Sequence, residues 1–241
     1  MSMRHHYNPH YIHHQDSVIL PMIREIVFGM EDGMVSTLGA ITGIAAATND
    51  HFTVVLSGFV VVAVESISMG IGSYLSNKSE QDVNYHKIRE EKEELQEFPY
   101  EERNELRDMY VDDGWPHELA EEMATAASKN KKLFLQEMIV HELNIPNRKK
   151  ENPVRNALYM FFSYVIGGSI PLVPYLVFSI NTAIVVSIII TLVGLFLLGV
   201  GTTKFTKRTW WKAGLEMCTL ASVAAFVGYG VGQLVDMFLL K

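Results

Sequence analysis

Three pairs of potential metal ligands recur at one-turn spacing in the middle of the chain. Glu94 and Glu97 are i,i+3, Glu105 and Asp108 repeat that spacing, and Met138 and Glu142 are i,i+4. On helices, each pair shares a face. Carboxylate oxygens with one thioether and no thiolate suit Fe²⁺ or Mn²⁺ better than a structural Zn²⁺ site. The pairs lie in residues 80–142, which hold 18 of the 27 acidic residues against 8 Lys/Arg. Such runs are also what solvated helix faces look like, and spacing alone does not decide between the two. Glu90, Glu91, Glu93, Glu101, Glu102, Glu121 and Glu122 read as that solvated surface, while Glu137 and His141 fit either role.

A second set of acids stands inside apolar sequence. Asp32 follows Glu31 in Gly29-Met30-Glu31-Asp32-Gly33, and Glu65 is the only charge between Phe52 and Leu75. Insertion of an acid at mid-membrane costs ~2.5–3.5 kcal/mol, so intramembrane acids are functional by default. Asp32 lies six residues from Ile26, roughly 9 Å deep on helix rise. Met69 lies six residues from Leu75, so antiparallel helices would put Asp32 and Met69 at similar depth. Glu65 and Met69 are i,i+4 and share a face. A headgroup position explains Glu31 about as well as a buried one, and Met69 taken alone is ordinary packing.

The elements that must position these residues are helical. Apolar runs at 26–47, 52–75, about 156–178, 183–200 and about 213–240 are each long enough, or nearly so, to cross ~30 Å of hydrocarbon. The third contains Gly167-Gly168, Pro171 and Pro174 and reads as a broken helix, which membranes tolerate where protein covers the freed backbone. Between the second and third runs, residues 76–98 continue the second helix out of the membrane as far as Pro99. Residues 101–111 form a second helix, and 116–143 a third that Ile145-Pro146 ends. The expected fold is therefore all-α: a five-transmembrane-helix membrane domain with a three-helix acidic insert. The boundaries are 1–20 for a polar tail with five histidines, 21–76 for the first two spans, 77–147 for the insert and 148–241 for the last three spans.

Lys and Arg set the orientation. The turns at 48–51 and 179–182 carry none, whereas the tail, the insert with its basic collar at 147–155 and the 204–212 loop carry nearly all. This places the insert in the cytoplasm. Residues 80–142 have a net charge of −10 and the remainder +3, which argues against nucleic acid as a partner. The lone Cys218 permits neither an intrachain disulfide nor a cysteine metal site. Histidines at 5, 6, 10, 13 and 14 read as a disordered tail, though such tracts can bind metal. No leader peptide is evident, which favours a prokaryotic plasma membrane and leaves a vacuolar membrane open.

These motifs resemble the vacuolar iron transporter (VIT) family over roughly residues 22–240. The first-helix motif quoted above is similar to the family's G-x-(S/N)-D-G. Ser68-Met69-Gly70 with Gly72-Ser73-Tyr74 is similar to S-M-G-x-G-x-Y, and Gly167 to Tyr175 resembles G-G-x-x-P-L-x-P-Y. The resemblance implies a dimer of five-span protomers that exchanges Fe²⁺, and also Mn²⁺, for protons, with the ion as substrate and no catalytic cofactor. It implies that the family's E-x2-E-x7-E-x2-E and M-x3-E ligand pattern falls on Glu94, Glu97, Glu105, Asp108, Met138 and Glu142. The pathway would then run through Asp32, Glu65 and Met69, with Glu31 beside them. Two departures stand out: Glu31 replaces the family's Ser or Asn, and Val61 occupies the place of a plant-type glutamate, so Glu65 would take over its role. The competing readings are a membrane-bound carboxylate di-iron enzyme and a membrane-anchored metal sensor or store. The former lacks its usual Glu-x-x-His pairs; the latter leaves the intramembrane acids unexplained.

Overall fold

The computed structural model describes residues 19–48, 50–145 and 151–239. Within them lie eight helices: α1 (Ile19–Thr48), α2 (His51–Glu97), α3 (Pro99–Asp112), α4 (His117–Ser128), α5 (Lys131–His141), α6 (Pro153–Val177), α7 (Ile180–Thr206) and α8 (Trp210–Leu239). Among the described residues, α2, α6 and α7 are long and apolar enough to cross a membrane. The histidine tail, Asn49 and residues 147–150 of the basic collar lie outside the described residues.

α6 is the hub of the apolar part, packing against α1, α2 and α7, while α8 closes against α1 and α7. Glycine lets these helices approach until their backbones touch. A Cβ on Gly33 would sit 2.5 Å from the Tyr164 carbonyl and 2.8 Å from the Gly168 amide nitrogen. One on Gly43 would sit 2.6 Å from the Gly228 carbonyl of α8. Gly167 likewise presses on the backbone of Met30. The glycine pair at 167–168 is thus a packing notch, not a break. α6 is continuous through Pro171 and Pro174, which corrects the expectation of a broken helix. The Ser187 hydroxyl donates to the Pro171 carbonyl at 2.7 Å, so α7 supplies a partner beside the prolines.

α2 is one uninterrupted helix of 47 residues, about 70 Å long at helix rise. Asp50 caps its start, its Oδ2 accepting from the Thr53 amide at 2.9 Å. Pro99 takes the first position of α3, where its missing N–H costs nothing. A buried polar chain anchors α2 near residues 73–81. Ser73 donates to Glu25 at 2.8 Å, Asn156 donates to Asn77 at 3.1 Å and to Glu151 at 2.9 Å, and Gln81 donates to the Glu151 carbonyl at 2.8 Å.

Beyond this anchor the end of α2 joins α3, α4 and α5 around a separate core of Leu106, Tyr110, Ala120, Ala124, Ala127, Phe134 and Met138. The expected single helix over 116–143 is two. Asn130 breaks it, its side chain accepting from the amides of Lys132 and Leu133 as the N-cap of α5. Asn competes for local backbone donors in this way, which is why it starts helices more readily than it continues them.

Candidate functional site

Carboxylates meet where α2, α3 and α5 face each other. Glu91, Glu102 and Glu142 each point an oxygen into one spot, and these oxygens lie within 4.8 Å of one another. Glu91 is 1% exposed and Glu102 8%. Glu91 Oε1, Glu102 Oε2 and Glu142 Oε2 are buried without a hydrogen-bond partner. Met138, one turn before Glu142, is fully buried beside them in the core of this unit.

The assignment of Glu91 and Glu102 to the solvated surface is therefore corrected. The reason is periodicity. Glu91 stands four residues before Leu95, which packs against the core, and Glu102 four before the core residue Leu106, so each shares the inward face of its helix with a leucine. Glu97 lies off that face and is exposed. Asp108 is exposed as well and is held by Arg107, Nη2 to Oδ1 at 2.7 Å. Glu94 and Glu105, though exposed, lie within electrostatic reach of the trio. Begun three residues earlier, the spacing E-x2-E-x7-E-x2-E falls on Glu91, Glu94, Glu102 and Glu105, with no aspartate needed. That second register was available in the sequence.

The electrostatics follow from crowding. Burial, contact with Glu142 and the charges of Glu142, Glu102 and Glu94 push Glu91 up to about 9. Burial and the charges of Glu105, Glu142 and Glu94 raise Glu102 to about 7. Glu105 is raised too, by partial burial and then by Glu142, Glu94 and Asp108. Like charges this close cannot all ionise unless a cation joins them. Such an array has the chemistry to exchange protons for a metal ion near neutral pH. Glu137 and His141 belong elsewhere: His141 bridges Asp113 (2.9 Å) and Glu137 (3.4 Å), and Tyr110 donates to Glu137 at 3.0 Å. They tie the end of α3 to the end of α5.

The second acid group lies on α1 and α2. Asp32 is half-buried and Glu65 exposed, and the charge of Glu65 reaches Asp32. Glu31, also half-buried, feels both Asp32 and Glu216 of α8. Among the described residues, none of Glu31, Asp32 and Glu65 has a basic partner within ion-pair distance. Met69 is half-buried on α2, one turn from Glu65. Sequence reasoning missed Tyr164. It is fully buried on α6, hydrogen-bonded to the Ser36 hydroxyl, and close enough to feel the charges of both Asp32 and Glu65. Ser36 also donates to the Asp32 carbonyl at 2.7 Å. Glu25, buried at 4% exposure under the Ser73 hydroxyl, was missed as well. The signal for it was its place one residue before the first apolar run.

A family model described as the VIT family matches residues 23–233. The chain belongs to the VIT family. Among curated proteins, vacuolar iron transporter 1 of Eucalyptus grandis is 29% identical over 217 residues, covering 89% of this chain and 87% of the relative. The vacuolar iron transporter of Centaurea cyanus is 30% identical over 214 residues, covering 88% and 86%. That of Plasmodium falciparum is 27% identical, covering 87% and 81%. The VIT match spans both acid groups.

Proposed function

We propose that this VIT family member is an integral membrane transporter that moves Fe²⁺, and Mn²⁺ less selectively, out of the cytoplasm in exchange for protons. Five helices cross the membrane: α1, the first half of α2, α6, α7 and α8. The unit built from the end of α2 with α3, α4 and α5 stands in the cytoplasm, as the Lys/Arg distribution requires. It collects the ion on Glu91, Glu94, Glu102, Glu105, Met138 and Glu142, a donor set revised by one helical turn from the sequence reading. Asp32, Glu65 and Met69 carry the ion across, with Glu31 at the far side of the same group.

The observation that carries this reading is that Glu65 of α2 lies close enough to Asp32 of α1 for its charge to be felt there. Two carboxylates within reach of each other, on apolar helices and without a basic partner among the described residues, are stable only when a proton or a cation joins them. Met69 adds a soft donor one turn away, which favours a transition metal over Mg²⁺ or Ca²⁺.

The same pair supports a dimer. Glu65 is exposed on one protomer, one turn from Met69 on the same face of α2. A charge at that depth facing lipid costs several kcal/mol, so a second copy covers it and the pathway runs between protomers. The test is uptake of Fe²⁺ into proteoliposomes under an imposed pH gradient. Uptake that follows the gradient and stops with a protonophore supports exchange. Uptake indifferent to the gradient refutes proton coupling, and no uptake refutes transport.

A further inference from the structure

We propose that the insert has a second binding site, of opposite polarity, that takes a small soluble organic anion with a flat apolar body. The site is a cavity of about 410 Å³ between the end of α2, the start of α3 and the α4–α5 junction. Ligand pockets typically run from roughly 300 to 1,000 Å³, mostly apolar with a few converging polar groups. This one has apolar walls from Leu95, Tyr100 and Phe134, and three cations on its lining: Lys92, Arg103 and Lys131.

Three cations lining one cavity need an explanation where residues 80–142 carry a net charge of −10. Among the described residues, neither Lys92 nor Lys131 has a carboxylate within ion-pair distance. Arg103 is only partly answered, with Glu121 at 3.6 Å and the Asn104 side chain at 3.3 Å. A carboxylate or phosphate oxygen pairs with these lining cations and offsets their mutual repulsion. The flat body follows from the walls. The Arg103 guanidinium already lies over the Tyr100 ring, 4.9 Å from its centroid, and its planar cation favours stacking on a ring.

A lipid headgroup is the other source of such an anion. Lys92 stands seventeen residues beyond Leu75 on the unbroken α2, which is about 25 Å at helix rise. Headgroup layers extend only about 5–8 Å beyond the hydrocarbon. The ligand is therefore soluble. The cavity and the carboxylate cluster lie on adjacent faces of the same helices, since Lys92 follows Glu91 and Arg103 follows Glu102. They share no ligating residue.

The test uses the full chain in phosphatidylcholine nanodiscs, with phenyl phosphate as probe and saturation-transfer NMR as readout. Phenyl phosphate should show transfer, while inorganic phosphate and benzyl alcohol should each compete at least about tenfold more weakly, as expected if a charge-assisted contact and ring burial both contribute. Gln96→Trp fills the cavity from an exposed lining position and should abolish transfer with the helical content unchanged. Lys131→Gln should weaken binding about tenfold, and so should Arg103→Gln if it folds. No transfer at millimolar probe, equal transfer in Gln96→Trp, or equal competition by either control compound would overturn the proposal.

Discussion

Metal binding to the insert should release protons in a number set by Glu91. With Glu91 at about 9 and Glu102 at about 7, the first is protonated at pH 7 and the second half so. A metal needs both as carboxylates. Binding should then release ~1.5 protons at pH 7 and ~1 at pH 8, and affinity should rise about ten- to twentyfold between them, since each proton displaced is worth ~1.4 kcal/mol per pH unit. Glu91→Gln should remove about one proton from both counts. The assay is calorimetry of Mn²⁺ binding in buffers of different ionisation enthalpy, on the full chain carrying Asp32→Asn so that the insert dominates. The sign for stability runs the other way. The folded pKa of Glu91 is raised above its unfolded value of 4.5, so the folded state holds more protons than the unfolded between about 4.5 and 9, and metal-free stability falls as pH rises through that window. Glu91→Gln should therefore raise the metal-free unfolding temperature at pH 8. Equal proton counts in both proteins, or affinity flat from pH 7 to 8, would refute the crowded-carboxylate reasoning.

Three shorter predictions follow from packing and register. Glu102→Gln should cost the insert at least about tenfold in Mn²⁺ affinity, as loss of a charged ligand would, while Glu97→Gln and Asp108→Asn should cost little; the reverse order in calorimetry would restore the register read from the sequence. Gly167→Ala should destabilise the apolar core by ~1–3 kcal/mol, as overpacking does, because the Met30 backbone cannot withdraw; thermal unfolding in detergent measures it. Asn130→Ala should lower insert stability by ~0.5–2 kcal/mol through loss of the α5 cap, read from chemical denaturation.

The helical class, the junction at Pro99 and the extension of the second apolar helix into polar sequence could all be read from hydropathy and proline. The acids of apolar sequence stood out too, because such an acid is costly to bury. What stayed hidden depended on which side of a helix faced inward. Glu91 and Glu94 look alike in a charge run, and only their relation to Leu95, once known to pack against the core, separates them. The break at Asn130 was hidden because an asparagine among lysines reads as solvated helix until its side chain is seen capping. The notch at Gly167-Gly168 and the Tyr164–Ser36 contact are matters of tertiary approach. The latter joins residues 128 apart, and no local pattern announces it.

The most direct test of the central claim is Fe²⁺ flux through Asp32→Asn in proteoliposomes with an imposed pH gradient, measured alongside Mn²⁺ binding to its insert. The amide keeps the shape and removes the charge that, on the proposed mechanism, shares the cation with Glu65. Flux should be abolished while binding to the insert is unchanged; normal, gradient-driven Fe²⁺ uptake by this variant would contradict the mechanism.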